Sequence, residues 1–166
     1  MKVYIETLGC KVNFADSAGL AAILANNGYM VTTDPHDAEL FIINSCSVTH
    51  RAERECRQLA RRFHSFNPSA KIIITGCSAL SETFRKRADD IPFSHLISTD
   101  NILSELNLER REDAVHYYNR SRPFIKIQEG CDRFCSYCIV PYLRGKPRSI
   151  SRRTISSQIH DALKNG

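Results

Sequence analysis

The chain reads as an α/β protein built on a doubly wound parallel sheet. Three observations predict this. Short apolar runs alternate with segments of helical period through the first hundred or so residues. The central runs, Leu40–Asn44 and Lys71–Thr75, show no polar alternation, as strands covered on both faces require. Glycine and proline (Gly28, Pro35, Pro68, Gly76) fall between these segments.

The elements follow in order. Residues 3–7 form the first strand. A helix over 13–27 has small residues on its sheet-facing side (Phe14, Ala18, Ala21, Ala22, Ala25), and Gly28 stops it. Residues 29–33 make a short second strand, and Asp34-Pro35-His36-Asp37 turns the chain. Strand 40–44 leads to a helix over 48–66. Its apolar stripe is Val48, Ala52, Cys56, Leu59, Phe63 and Phe66, and Asn67-Pro68 ends it. Strand 71–75, a helix over 81–88, a short strand at 96–98 and a helical turn at 102–106 complete a first domain, 1–106.

Residues 107–123 are polar, charged and aperiodic, and read as a linker. A second region, 124–166, opens on a strand at 124–128. It passes through a cysteine-rich loop and an extended basic stretch, 141–148, and ends on a helix over 154–164 closed by Asn165-Gly166. A single strand–loop–helix unit cannot bury its own faces. The region therefore reads as the opening of a domain that the chain does not complete.

Composition bounds the function. An apolar fraction of 42% supports a packed core. No run of about 18 apolar residues exists, and the chain enters a strand directly, so neither a membrane span nor a signal peptide is expected. Seven cysteines, an odd number, argue against a disulfide framework and for a cytoplasmic chain whose thiols bind metal or do redox work. The net charge of +5 is uneven: residues 1–106 carry −1 and residues 107–166 carry +6. That asymmetry suits a polyanionic partner or a solvated basic surface, and Arg144, Lys146, Arg148, Arg152 and Arg153, spaced through the basic segment 144–153, suit contact with phosphates rather than bases.

Six of the seven cysteines fall into two sets. Cys10, Cys46 and Cys77 each follow an apolar run. If the runs are parallel strands, all three thiols emerge at one carboxyl edge, where open α/β sheets bind ligands. Gly9 and Gly76 precede two of them and allow tight turns. Helices expected to begin just beyond Cys10 and Cys46 would favour thiolate there. Each of these cysteines alone would read as a buried small hydrophobe; three at equivalent places read as a site. Cys56, inside a helix stripe, reads as core. The second set, Cys131, Cys135 and Cys138, forms a C-x3-C-x2-C run. Such a loop binds zinc or an iron–sulfur cluster. A structural zinc would have to recruit His116 or His160 as a fourth ligand. Three thiolates instead suit a 4Fe–4S cluster with one iron open to a small molecule.

With Tyr137 before its last cysteine, that run resembles the radical S-adenosylmethionine signature. Thr7-Leu8-Gly9-Cys10-Lys11-Val12-Asn13, Asn44-Ser45-Cys46-Ser47-Val48-Thr49, Thr75-Gly76-Cys77, and Gly130 through Gly145 together resemble the methylthiotransferases of that superfamily. The resemblance implies a flavodoxin- or Rossmann-like N-terminal domain, followed by the first βα unit of an incomplete radical S-adenosylmethionine barrel. It implies two 4Fe–4S clusters. Cys131, Cys135 and Cys138 would hold the one that binds S-adenosylmethionine, with Tyr137 near the adenine and reductive cleavage giving a 5′-deoxyadenosyl radical. Cys10, Cys46 and Cys77 would hold an auxiliary cluster that delivers sulfur.

The resemblance further implies tRNA as the partner, a flavodoxin or ferredoxin as electron donor, and methylthiolation of a modified adenosine beside the anticodon. Gly9-Cys10-Lys11-Val12-Asn13 is most like the N6-threonylcarbamoyladenosine branch. The isopentenyladenosine and ribosomal-protein branches, and a non-catalytic iron–sulfur or zinc module, are the alternatives. Thr75-Gly76-Cys77-Ser78-Ala79-Leu80 lacks the aromatic and glutamine usual after that cysteine. With the later barrel strands and the RNA-binding module missing, the chain alone is not expected to turn over.

Overall fold

The computed structural model describes residues 1–109 and 123–164. Strands β1 (Lys2–Thr7), β2 (Met30–Thr32), β3 (Leu40–Asn44), β4 (Lys71–Thr75) and β5 (His95–Leu96) form one all-parallel sheet in the order β2-β1-β3-β4-β5. This order reverses direction between β1 and β3. The carboxyl ends of those two strands therefore flank the topological switch point, the usual crevice for a ligand in such folds. The register aligns Thr7 with Asn44 and Asn44 with Thr75, so the three central strands end level.

Side chains on β3 and β4 alternate between two cores. Phe41, Ile43, Ile72 and Ile74 face α2 (His50–Phe66), where Cys56, Ala60 and Phe63 meet them. Leu40, Ile42 and Ile73 face α1 (Lys11–Asn26) through Leu20 and Leu24, with Ile102 of α5 (Thr99–Glu105). Helices cover both faces, as the apolar strand sequences demand.

Several local expectations need correction. On α1, Phe14 is half-buried and Ala25 exposed. The fully buried positions at the helix start are the polar Asn13 and Ser17, turned inward because they complete a hydrogen-bond network with the sheet. Val48 is 61% exposed and lies before α2, which starts at His50 after Thr49 accepts a hydrogen bond from the Ala52 N–H. The helix expected over 81–88 is the shorter α4 (Glu82–Arg85), capped by Ser81, and a separate short helix, α3 (Cys77–Leu80), precedes it.

In the second region, the strand expected over 124–128 is only β6 (Gln128–Glu129). It pairs antiparallel with β7 (Arg148–Ser149), in a ladder that ends where the Ile127 carbonyl accepts the Ile150 N–H. The stretch taken as extended contains α6 (Val140–Arg144), with Pro141 in its first turn, where a missing N–H costs nothing. The last helix, α7, spans Arg152–Lys164. Most of the expected linker and the closing Asn165-Gly166 lie outside the described residues, as does His116.

Candidate functional site

The carboxyl ends of β1, β3 and β4 carry Cys10, Cys46 and Cys77 to one edge. Cys10 is the residue before α1, whose first turn closes with the Phe14 N–H on the Cys10 carbonyl. Cys46 follows β3 by two residues and Cys77 opens α3. The glycines set how closely these segments meet. Gly9, at φ +122°, leaves no room for a Cβ against the Cys46 side chain. Gly76, at φ +81°, leaves none against Asn44 and the Ser45 backbone. The two turns therefore press the Cys10 and Cys77 segments onto the Cys46 loop from either side.

Cys46 and Cys77 are buried and Cys10 is exposed, and all three are free thiols. Burial pushes the Cys46 thiol up. The Val48 N–H, 3.4 Å from its sulfur, opposes this, while Cys77 and Cys10 add to it by repulsion between thiolates. Arg144 pulls in the other direction. Cys46 is thus the middle member of the set.

Behind the thiols lies a polar network. Asn44 donates to the Asn13 carbonyl and the Ser17 hydroxyl, both at 2.8 Å. Thr7 donates to Ser17 at 2.8 Å, and the Asn13 amide donates to Asn44 Oδ1 and the Leu8 carbonyl, both at 3.3 Å. The Cys10 thiol donates to Asn13 Oδ1 at 3.4 Å. This network fixes the floor of the edge. The signal that could have revealed it is Asn13 and Ser17 at i, i+4, in phase with Leu20 and Leu24.

Cys131, Cys135 and Cys138 sit together in their own loop between β6 and α6, with Cys135 exposed and the other two half-buried. The Cys138 N–H bonds the Cys135 carbonyl at 3.0 Å, and Phe134 adopts φ 47°. The loop base is closed by the Cys131 N–H on the Gly145 carbonyl at 2.9 Å. Tyr137 is 90% exposed, a free aromatic face beside the thiols. His160 is exposed on α7.

Arg144 is the residue whose role sequence reasoning misassigned. Its place in a basic stretch suggested phosphate contact, but its side chain is 8% exposed. It donates to Asp16 Oδ2 at 3.1 Å, Glu129 Oε1 at 3.2 Å, Asn13 Oδ1 at 3.1 Å and Cys77 Sγ at 3.4 Å. Burial alone would lower its pKa. The Cys77 thiol and the Asp16 carboxylate outweigh that and push it up, so it is a fixed cation. Lys126 also pairs with Asp16 and Glu129. A cleft of ≈ 560 Å³ runs between α1, the end of β4 and the second region, with Asp16, Cys77, Lys126 and Arg144 on its wall.

Among the described residues no three Cys, His, Asp or Glu side chains stand close enough to hold a single metal ion. The edge nonetheless suits a thiolate-bound cluster. The Ser47 and Ser78 hydroxyls, each next to a cysteine of the set, are buried without a partner. Such orphaned donors carry a cost unless an acceptor arrives, and a cluster sulfide or thiolate is one. No described helix is long and apolar enough to cross a membrane.

Residues 2–96, the whole sheet, match the family described as Uncharacterized protein family UPF0004. The chain is 35% identical to the threonylcarbamoyladenosine tRNA methylthiotransferase MtaB of Aquifex aeolicus, over 96% of this chain and 44% of that protein. It is 34% identical to the tRNA-2-methylthio-N(6)-dimethylallyladenosine synthase of Helicobacter pylori, over 100% of this chain and 42% of that one. The enzyme of the same name from Geobacter metallireducens is 35% identical over 99% and 42%. The chain thus spans less than half the length of these curated relatives. It belongs to the UPF0004 family, and the relatives it matches along nearly its whole length are tRNA methylthiotransferases.

Proposed function

We propose that the chain acts as the N-terminal portion of a radical S-adenosylmethionine tRNA methylthiotransferase carrying two 4Fe–4S clusters. The observation that supports this most is the pair of separate three-thiol sets, one at the switch-point edge and one in a turn of its own. Cys10, Cys46 and Cys77 would hold the auxiliary cluster. Cys131, Cys135 and Cys138 would hold the other, leaving an open iron for S-adenosylmethionine, with Tyr137 placed to lie against its adenine. That cluster supplies the electron for reductive cleavage of the cofactor, which a flavodoxin or ferredoxin would provide in a cytoplasmic setting.

The chain's own residues do the rest. The Asn13–Asn44–Ser17 network holds the edge in place, the buried hydroxyls of Ser47 and Ser78 would be free to donate to sulfur of a cluster bound there, and the buried walls around Cys46 and Cys77 would exclude water from it. The excess positive charge after residue 106 favours tRNA. Lys146, Arg152 and Arg153 remain exposed for phosphate contact, while Arg144 is withdrawn from that role. Of the substrate branches, the Gly9-to-Asn13 motif favours N6-threonylcarbamoyladenosine.

Anaerobic reconstitution with iron and sulfide tests the reading. Wild type should bind about eight irons per chain, and Cys→Ala replacement of either triple should leave about four, with 4Fe–4S signatures in EPR. Iron that is unchanged when a triple is removed, or zinc in its place, refutes it.

A further inference from the structure

We propose that Arg144 is a positioning residue, a clasp that fixes the Cys131–Cys135–Cys138 loop against the edge bearing Cys10, Cys46 and Cys77. Its one guanidinium reaches three segments remote in sequence. On α1 it bonds Asp16 and Asn13, beyond β4 it bonds Cys77, and on β6 it bonds Glu129. Through Asn13 Oδ1, which also accepts from the Cys10 thiol, it touches the surroundings of a second cysteine of the edge set.

The other side of the clasp is the backbone next to it. The Gly145 carbonyl receives the Cys131 N–H. Gly130, at φ +74°, lies so close to Gly145 and Lys146 that a Cβ there would meet the Gly145 oxygen at 2.6 Å. The cysteine loop is thus closed at its base by β6, β7 and this contact, and Arg144 ties that base to the sheet.

The chemistry favours arginine over lysine here. The donors leave the guanidinium in different directions, to two carboxylates, an amide oxygen and a sulfur, which a planar fork can serve together and a single ammonium cannot. Lys126 already supplies a second positive charge to Asp16 and Glu129. Charge balance alone therefore does not require Arg144; the geometry does. Asp16 has a side chain 6% exposed, so its carboxylate has little water to fall back on if the clasp is cut.

Hydrogen exchange by mass spectrometry on the metal-free, reduced full chain tests the clasp, with Arg144→Gln, Arg144→Lys and Asp16→Asn compared with wild type. Removing one member of a buried ion pair costs more than a decade in an equilibrium constant, so exchange across residues 127–146 should accelerate at least about tenfold in Arg144→Gln. Asp16→Asn, more than a hundred residues away in sequence, should loosen the same loop. Arg144→Lys should restore only part of the protection, and it carries the comparison if Arg144→Gln does not fold. Amides of β3 and β4 should keep wild-type rates. Unchanged exchange in 127–146, or a uniform rise that includes β3 and β4, overturns the proposal.

A second readout rests on the cluster reading above. In the iron-loaded chain, the magnetic interaction between the two clusters should change in Arg144→Lys at equal iron content. An unaltered spectrum despite a loosened loop overturns the positioning role. Iron content measured on wild type judges the cluster reading separately, because the exchange experiment contains no metal.

Discussion

Gly76→Ala is the sharpest perturbation of the cysteine edge that leaves every thiol in place. Gly76 sits at φ +81° and ψ −157°, a region essentially confined to glycine, where an L side chain costs about 1–3 kcal/mol. An alanine Cβ would also meet Asn44 Oδ1 and lie 2.6 Å from the Ser45 carbonyl oxygen. Neither neighbour can give way cheaply. The Ser45 N–H is bonded to the Thr75 carbonyl, and the Asn44 amide is held by Asn13 and Ser17. Overpacking of this kind adds about 1–3 kcal/mol. The total is about 2–6 kcal/mol.

Gly28→Ala is the internal control. Its φ of +83° is nearly the same, yet nothing lies within 4 Å of its would-be Cβ. Both variants place a side chain at positive φ and share the loss of unfolded-chain entropy, so their difference reports the contact with Asn44 and Ser45 together with the ψ of −157° at Gly76. Urea unfolding followed by circular dichroism should place Gly76→Ala about 1–3 kcal/mol below Gly28→Ala. Equal stabilities would refute the argument that the Cys77 turn is pressed onto the Cys46 loop. Iron uptake on reconstitution should fall in Gly76→Ala and stay at the wild-type level in Gly28→Ala.

Two further outcomes follow from buried and paired groups. Cys56 is fully buried among Phe41, Ile43 and Phe63, so Cys56→Ala should cost on the order of 1 kcal/mol and leave iron content unchanged; loss of iron in that variant would contradict its place in the core. Burial pushes its thiol up to about 12, so the stability it contributes is complete below about pH 8.5 and lost as pH rises toward 12. Cys56→Ala should therefore flatten the alkaline limb of the stability profile measured by urea midpoints. Glu105 is held below the usual carboxylate range by the Lys71 ammonium at 2.8 Å and by His95. Its contribution is present at neutral pH and lost as pH falls through its lowered pKa, so Glu105→Gln should lose less stability than wild type between pH 7 and pH 3.

The sheet was legible in the sequence because parallel strands buried on both faces read as near-continuous apolar runs. Leu40–Asn44 and Lys71–Thr75, apolar except at Lys71 and at their last residues, fall where expected. The places of Cys10, Cys46 and Cys77 follow from the same rule, since each thiol comes within three residues of a strand end and the strands are parallel. Cys56 was legible as core from its helical phase.

What tertiary structure decided is polar. Sequence periodicity ranks positions by hydrophobicity, so it set the small residues of α1 against the sheet and passed over Asn13 and Ser17. These two bury fully only because Thr7 and Asn44 meet them from the neighbouring strands. The same limit misassigned Arg144. Read along the chain it is one basic residue among several, and nothing local distinguishes it from Lys146 or Arg153. Its burial depends on Asp16 and Cys77, partners 128 and 67 residues away, which only the folded chain brings within hydrogen-bond reach. The second region was overread as a strand and an extended arm for a related reason. A β-strand exists through its partner, and the ladder with β7 reaches back only to the Ile127 carbonyl, which accepts the Ile150 N–H, whereas Pro141 fits the first turn of α6, where its missing N–H is tolerated.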